Sequence, residues 1–181
     1  MKKISTLMAM ILITCSSGMA QTFTLKSSDL GGQFVNSQLL NGMMGYTGGN
    51  ISPQLSWENV PAGTQSLAVT MYDVDAPSGS GFWHWVVYNI PADVNGLKAD
   101  AGNPERHLLP SGAIQGINDA GMAAYIGPGP LPGLPHQYLI TVYALKSKLT
   151  LDKNTPAAFV GVHLNLNVLA KASIVGYVQH P

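Results

Sequence analysis

Cysteine is almost missing from this chain of 181 residues, where Cys15 is the only one. Everything after it can form no disulfide and offers no thiol for nucleophilic or metal chemistry. Charge is nearly as scarce. Asp, Glu, Lys and Arg together make up 10 % of the residues, against about 25 % in an ordinary soluble domain. The formal net charge is zero, with no basic stripe for nucleic acid and no polybasic segment for anionic lipid. No apolar run is long enough to span a bilayer. No internal repeat and no long linker divides the chain. What is plentiful is turn-forming material: 20 Gly and 12 Pro favour many short strands.

The first twenty residues read as a leader rather than as part of the fold. Lys2 and Lys3 form a positive n-region, Ile4 to Ile13 an apolar h-region, and Gly18-Met19-Ala20 a small-residue cleavage site. Cleavage after Ala20 is expected, leaving a domain over residues 21–181 and a periplasmic or secreted location. Loss of Lys2 and Lys3 leaves seven basic against nine acidic side chains, a net charge of minus two. A lipoprotein would instead be acylated on Cys15, but Thr14 before it is larger than that position usually takes.

Period-two patterning dominates the rest of the chain. Leu67, Val69 and Met71 alternate with Ala68, Thr70 and Tyr72, which predicts a strand over 66–75. Residues 83–90 and 137–145 read as two more strands, and 22–26, 55–58, 112–117 and 174–178 as shorter ones. Turn signals such as Pro61-Ala62-Gly63 and Pro77-Ser78-Gly79 separate them. Gly127 to Pro135 is too rich in Gly and Pro for a helix or an inner strand. The one good helix is late. Thr155 is the expected N-cap and Pro156 the first helical residue, with Ala158, Val162, Leu166 and Leu169 as a stripe running to about Ser173. The pattern predicts a mainly β protein: an antiparallel β-sandwich with a C-terminal α-helix beside it.

Polar residues continue several apolar strand faces, which is unusual in a chain with so few charges. Asp73 and Asp75 come after Leu67, Val69 and Met71 at the same spacing. His84 shares a parity with Val86, Tyr88 and Ile90, and His136 with Tyr138, Ile140 and Val142. Each has a plain structural reading, since Asp caps turns and a lone His at a strand end is often only hydrogen-bonded structure. Their joint occurrence beside Gly- and Pro-rich loops points to one polar pocket at the end of the sandwich. Two carboxylates there would raise one apparent pKa, and nearby imidazoles would offset this and donate to an anion. Gly127 and Gly129 are candidates to present backbone N–H groups to such an anion, with phosphate a suitable size. His84, His136 and one Asp would also make a zinc-hydrolase ligand set, but no ligand pair has tight motif spacing, so no metal and no cofactor are expected. No Gly-x-Ser-x-Gly elbow, Gly-x-Gly-x-x-Gly turn or P-loop is present. Trp83 or Trp85 is a candidate pocket wall.

These residues resemble the phosphatidylethanolamine-binding protein family, in particular its bacterial Raf-kinase-inhibitor-like branch. Asn50-Ile51-Ser52-Pro53-Gln54-Leu55-Ser56-Trp57 is similar to the segment that leads into the family's sheet. Asp73-Val74-Asp75-Ala76-Pro77 is similar to its Asp-Pro-Asp-Ala-Pro motif, and His84-Trp85 to its His-Trp pair. Tyr125-Ile126-Gly127-Pro128-Gly129-Pro130 looks like its Tyr-x-Gly-Pro-x-Pro loop, and His136 with Tyr138 like its subsequent His-x-Tyr. The resemblance implies a Greek-key β-sandwich with a helix near the C-terminus. It also implies a small pocket for phosphate or a phospholipid headgroup. Carried over by motif, its members are Asp73, Asp75, Pro77, His84, Gly127, Gly129, His136 and Tyr138, with Tyr125 as a wall. Val74 stands where the pattern has Pro, Gln137 where an Arg often comes after the second His, and the Pro-rich loop lacks its usual Lys. The last two changes remove positive charge from the mouth and weaken its attraction for anions.

The expected function is therefore an exported, non-enzymatic binding protein for a small anionic ligand, with no catalytic residue assigned. A protein-binding inhibitor of a protease, kinase or host target is an alternative, with a protein partner. A weak phosphoester hydrolase using Asp and His as acid and base is another.

Overall fold

The computed structural model describes residues 21–180. The leader expected over residues 1–20, Cys15 included, lies outside the described residues.

Alternating apolar residues build two antiparallel sheets. The smaller has the strand order β1-β2-β5, from Thr24–Lys26 (β1), Leu55–Glu58 (β2) and Gly96–Leu97 (β5). The larger contains Ser66–Asp73 (β3), Phe82–Pro91 (β4), Ile114–Gln115 (β6), His136–Leu145 (β7) and Val168–Val178 (β8), in the order β6-β4-β3-β7-β8. One helix, Ala157–Asn167 (α1), lies between β7 and β8 in the chain.

The large sheet is covered on both faces, which explains why β3 is buried almost throughout. Its inward residues Leu67, Val69 and Met71 join Leu25, Leu55 and Trp57 of the small sheet in one cluster. Its other face carries Ala68, Val86 and Tyr88, which pack under Val160 and Leu164 of α1. The site grows from the end of the first of these layers.

The helix departs from the expectation in three ways. Pro156 occupies the capping position, no side chain caps the helix, and the Pro156 carbonyl takes the first bonds, from Phe159 and Val160. Thr155 is thus one residue too early. The helix stops at Asn167 instead of Ser173, because residues from Val168 onward pair with β7 from His136 to Leu145. The ladder satisfies backbone groups that a longer helix would leave at its end. Finally, the stripe of Ala158, Val162, Leu166 and Leu169 faces solvent, and Ala157, Val160, Gly161 and Leu164 are the buried side. This helix is apolar on nearly every side, so periodicity alone does not choose the face. Gly161 helps to decide it: a Cβ there would lie 3.1 Å from the Trp83 ring, so helix and sheet meet closely at that point.

Candidate functional site

Alternation along β3 carries the inward face of Leu67, Val69 and Met71 onto Asp73, which is only 3 % exposed. A buried carboxylate needs donors, and Asp73 has them. Oδ1 accepts from the backbone N–H of Asp75 at 2.9 Å, and Oδ2 from Nδ1 of His136 at 2.8 Å. Strand β7 starts at His136 and pairs Tyr138 directly with Asp73, so His136, Asp73 and Tyr138 meet at one edge of the core.

His84 arrives by a different route. Met71 pairs with Trp85 and Tyr72 with Trp83, so the register skips His84. This bulge breaks the strict alternation that grouped His84 with Val86 and Tyr88. Those two face α1, whereas the imidazole turns toward Asp73, with Nε2 4.0 Å from Oδ2. Its Nδ1 is 2.8 Å from the Ile126 carbonyl oxygen, and its own carbonyl accepts from the Ile126 N–H at 3.1 Å. A carbonyl only accepts, so Nδ1 carries the ring proton.

Two expected members stand elsewhere. β3 ends at Asp73, the chain turns, and alternation no longer applies to Asp75. Its exposed carboxylate accepts from the Gln137 N–H at 2.7 Å and does not line the pocket. The site therefore holds one carboxylate rather than a pair. Tyr125 is buried in the core, stacked edge-on against Trp85, and its hydroxyl donates to the Gln38 carbonyl at 2.9 Å. It supports the loop instead of forming a wall. Trp83 and Trp85 also lie outside the lining.

Gly127 lines the pocket for another reason than the one expected. The Gly127 N–H donates to Asn50 Oδ1 at 2.7 Å and is not available to a ligand. A Cβ on Gly127 would fall 2.5 Å from the Gln38 carbonyl oxygen, and one on Gly129 2.6 Å from a Leu40 methyl. Glycine is needed so that this loop can press against the segment 38–40. Asn50 is a supporting residue that pocket-directed reading missed. Its amide also donates to the Tyr125 carbonyl at 3.3 Å, bridging both ends of the loop's first turn.

Asp73, Pro77, His84, Gly127, Gly129, His136 and Tyr138 thus surround one hollow of about 160 Å³. Leu40, Met44, Phe82 and Leu131 complete an apolar collar. Phe82 stands two residues before His84. Leu40 and Met44 come from a segment without any motif. Among the described residues, no Lys or Arg lines this hollow. A roomier depression of about 430 Å³ lies beside His107, but no cluster of titratable groups faces it. Among the described residues, no three His, Cys, Asp or Glu are arranged to hold a metal ion.

Burial shapes the electrostatics. It lowers the pKa of His84 below the ordinary 6.5, outweighing the Ile126 carbonyl and the charges of Asp73 and Asp119, which act the other way. The Tyr138 hydroxyl is pushed upward by burial and by Asp73, so it keeps its proton. It is fully buried near the Asp73 carboxylate and the Gly129 backbone, yet among the described residues it makes no well-formed hydrogen bond. Such an orphan is rare in a core.

Known proteins share this arrangement of sequence and fold. The sequence profile of the phosphatidylethanolamine-binding protein family matches residues 31–179. The UPF0098 protein YbcL of Escherichia coli is 46 % identical over 175 residues, covering 94 % of this chain and 93 % of the relative. YbhB of the same bacterium is 44 % identical over 153 residues, covering 83 % and 96 %. The crystal structure of YbcL, described as a new member of the mammalian PEBP family, aligns with a TM-score of 0.84 over 88 % of this chain and 99 % of that one. The homologue CT736 of Chlamydia trachomatis aligns with a TM-score of 0.72 at 25 % identity, over 88 % and 98 %. With its motifs, its two sheets and a profile match over most of its length in agreement, this chain belongs to the phosphatidylethanolamine-binding protein family.

Proposed function

We propose that this protein is an exported, non-enzymatic binder of a small oxyanion, either free phosphate or the phosphate of a lipid headgroup. One observation carries the reading: the two imidazoles of His84 and His136 and the carboxylate they share, Asp73, line one hollow. His136 is oriented by Asp73 through Nδ1, which leaves Nε2 as the ring atom for a ligand. Among the described residues, no Ser, Thr, Cys or Lys lines the hollow. The apolar collar accommodates whatever the oxyanion is esterified to. The leader pattern favours export, and mass spectrometry of the chain recovered from the periplasm checks it by showing Gln21 as the first residue.

Calorimetric titration with phosphoethanolamine tests the binding. The wild type is expected to give a saturable signal. His136→Ala removes a ring that meets both Asp73 and the ligand and weakens binding about ten- to a hundredfold, as loss of a hydrogen bond to a charged group does. Absence of heat in the wild type, or the same heat in the variant, contradicts the reading.

A further inference from the structure

The floor of the hollow is richer in acceptors than in donors. The neutral His84 ring holds its proton on Nδ1, against the Ile126 carbonyl, so Nε2 presents a bare lone pair. That lone pair faces Asp73 Oδ2 at 4.0 Å. Oδ2 already accepts from His136 Nδ1 at 2.8 Å. The Tyr138 hydroxyl lies close to Asp73 but is fully buried, so it presents no donor to the hollow. Among the described residues, no Lys or Arg lining the hollow makes up the deficit. Two acceptors that face each other at low dielectric repel unless a proton comes to one of them.

Resting on the oxyanion reading above, we infer that the site selects oxyanions that bring a hydrogen-bond donor with them and rejects those that do not. Hydrogenphosphate offers its P–O–H to His84 Nε2 or to the Asp73 carboxylate. Sulfate has the same tetrahedral shape and, at mildly alkaline pH, the same charge, but no proton. Its oxygens would be set against a lone pair and a carboxylate. A phosphorylated amine supplies the donor as its ammonium group. The groups that face His84 are Asp73 from β3, His136 and Tyr138 from β7, and Asp119 from the loop after β6. Mildly alkaline pH keeps the His84 ring in the neutral form on which the selection depends.

Calorimetry on the wild-type protein with inorganic phosphate, sulfate and phosphoethanolamine at mildly alkaline pH tests this. Phosphate and phosphoethanolamine are expected to bind, with sulfate at least about a hundredfold weaker, because a site built around a ligand hydrogen rejects the analogue that lacks it. Whichever of the first two binds more tightly identifies free anion or headgroup as the source, and either order satisfies the inference while sulfate fails. Asp73→Asn, which replaces an acceptor by an amide able to donate, is expected to narrow the gap. The wild-type comparison decides the matter even if this variant does not fold. Sulfate binding as tightly as phosphate overturns the selection and leaves the oxyanion reading intact. Binding of none of the three overturns both.

Discussion

Burial of the His84 ring makes the native state refuse a proton that the unfolded chain accepts. Linkage sets the direction of the resulting pH effect. Above the ordinary value of 6.5 the ring is neutral in both states and contributes nothing. As the pH falls below 6.5, the unfolded chain takes up the proton first, so stability drops. The loss continues until the native ring is also protonated. Thermal melts at decreasing pH are therefore expected to show a steeper fall in Tm for the wild type than for His84→Gln, which has no ring to protonate. Parallel curves would contradict this role for His84. His84 was legible because imidazoles and carboxylates stand out in a chain so poor in charge. Asp75 was misread for a physical reason: period two holds only while a strand lasts, and β3 ends two residues before it. The role of Gly127 was equally hidden. Close approach of two backbones is a property of the folded chain, and its N–H had a partner 77 residues away in Asn50.

Among the elements, strands were more legible than the helix. Strands β3, β4 and β7 announce themselves by alternation between Gly- and Pro-rich turns, and their ends fall within two residues of the expected ones, whereas β8, the longest, was expected only over 174–178 and starts at Val168. The bulge at His84 left no trace in the pattern, because it needs a partner strand to define it. The helix was found but rotated, since both of its faces are apolar. Its orientation can be checked by truncation. Leu164 is fully buried against the large sheet, and Leu164→Ala is expected to cost about 2–5 kcal/mol in a chemical denaturation experiment. Leu166 is 66 % exposed, and Leu166→Ala is expected to stay within about 0.5 kcal/mol of the wild type. Equal losses, or the reverse order, would show that α1 packs by its other face. The early end of the helix has the same cause. Residues Val168 to Ser173 suit either conformation locally, and pairing with β7 decides between them.

Across the molecule, one sheet serves two layers. Its inner face packs on the small sheet, its outer face on α1, and the polar residues gather where strands β3, β4 and β7 end beside the Gly- and Pro-rich loop. That arrangement joins Asp73 to His136, 63 residues further along the chain, with His84 beside them. The collar residues Leu40 and Met44 had no motif to reveal them, because an apolar wall needs only suitable size and position. NMR of the imidazole nitrogens during addition of phosphoethanolamine tests the shared pocket itself. His84 and His136 are predicted to shift together along one saturation curve, while His107, beside the roomier depression, stays unchanged. A response at His107 with His84 and His136 silent, or no response at any of the three, would contradict it.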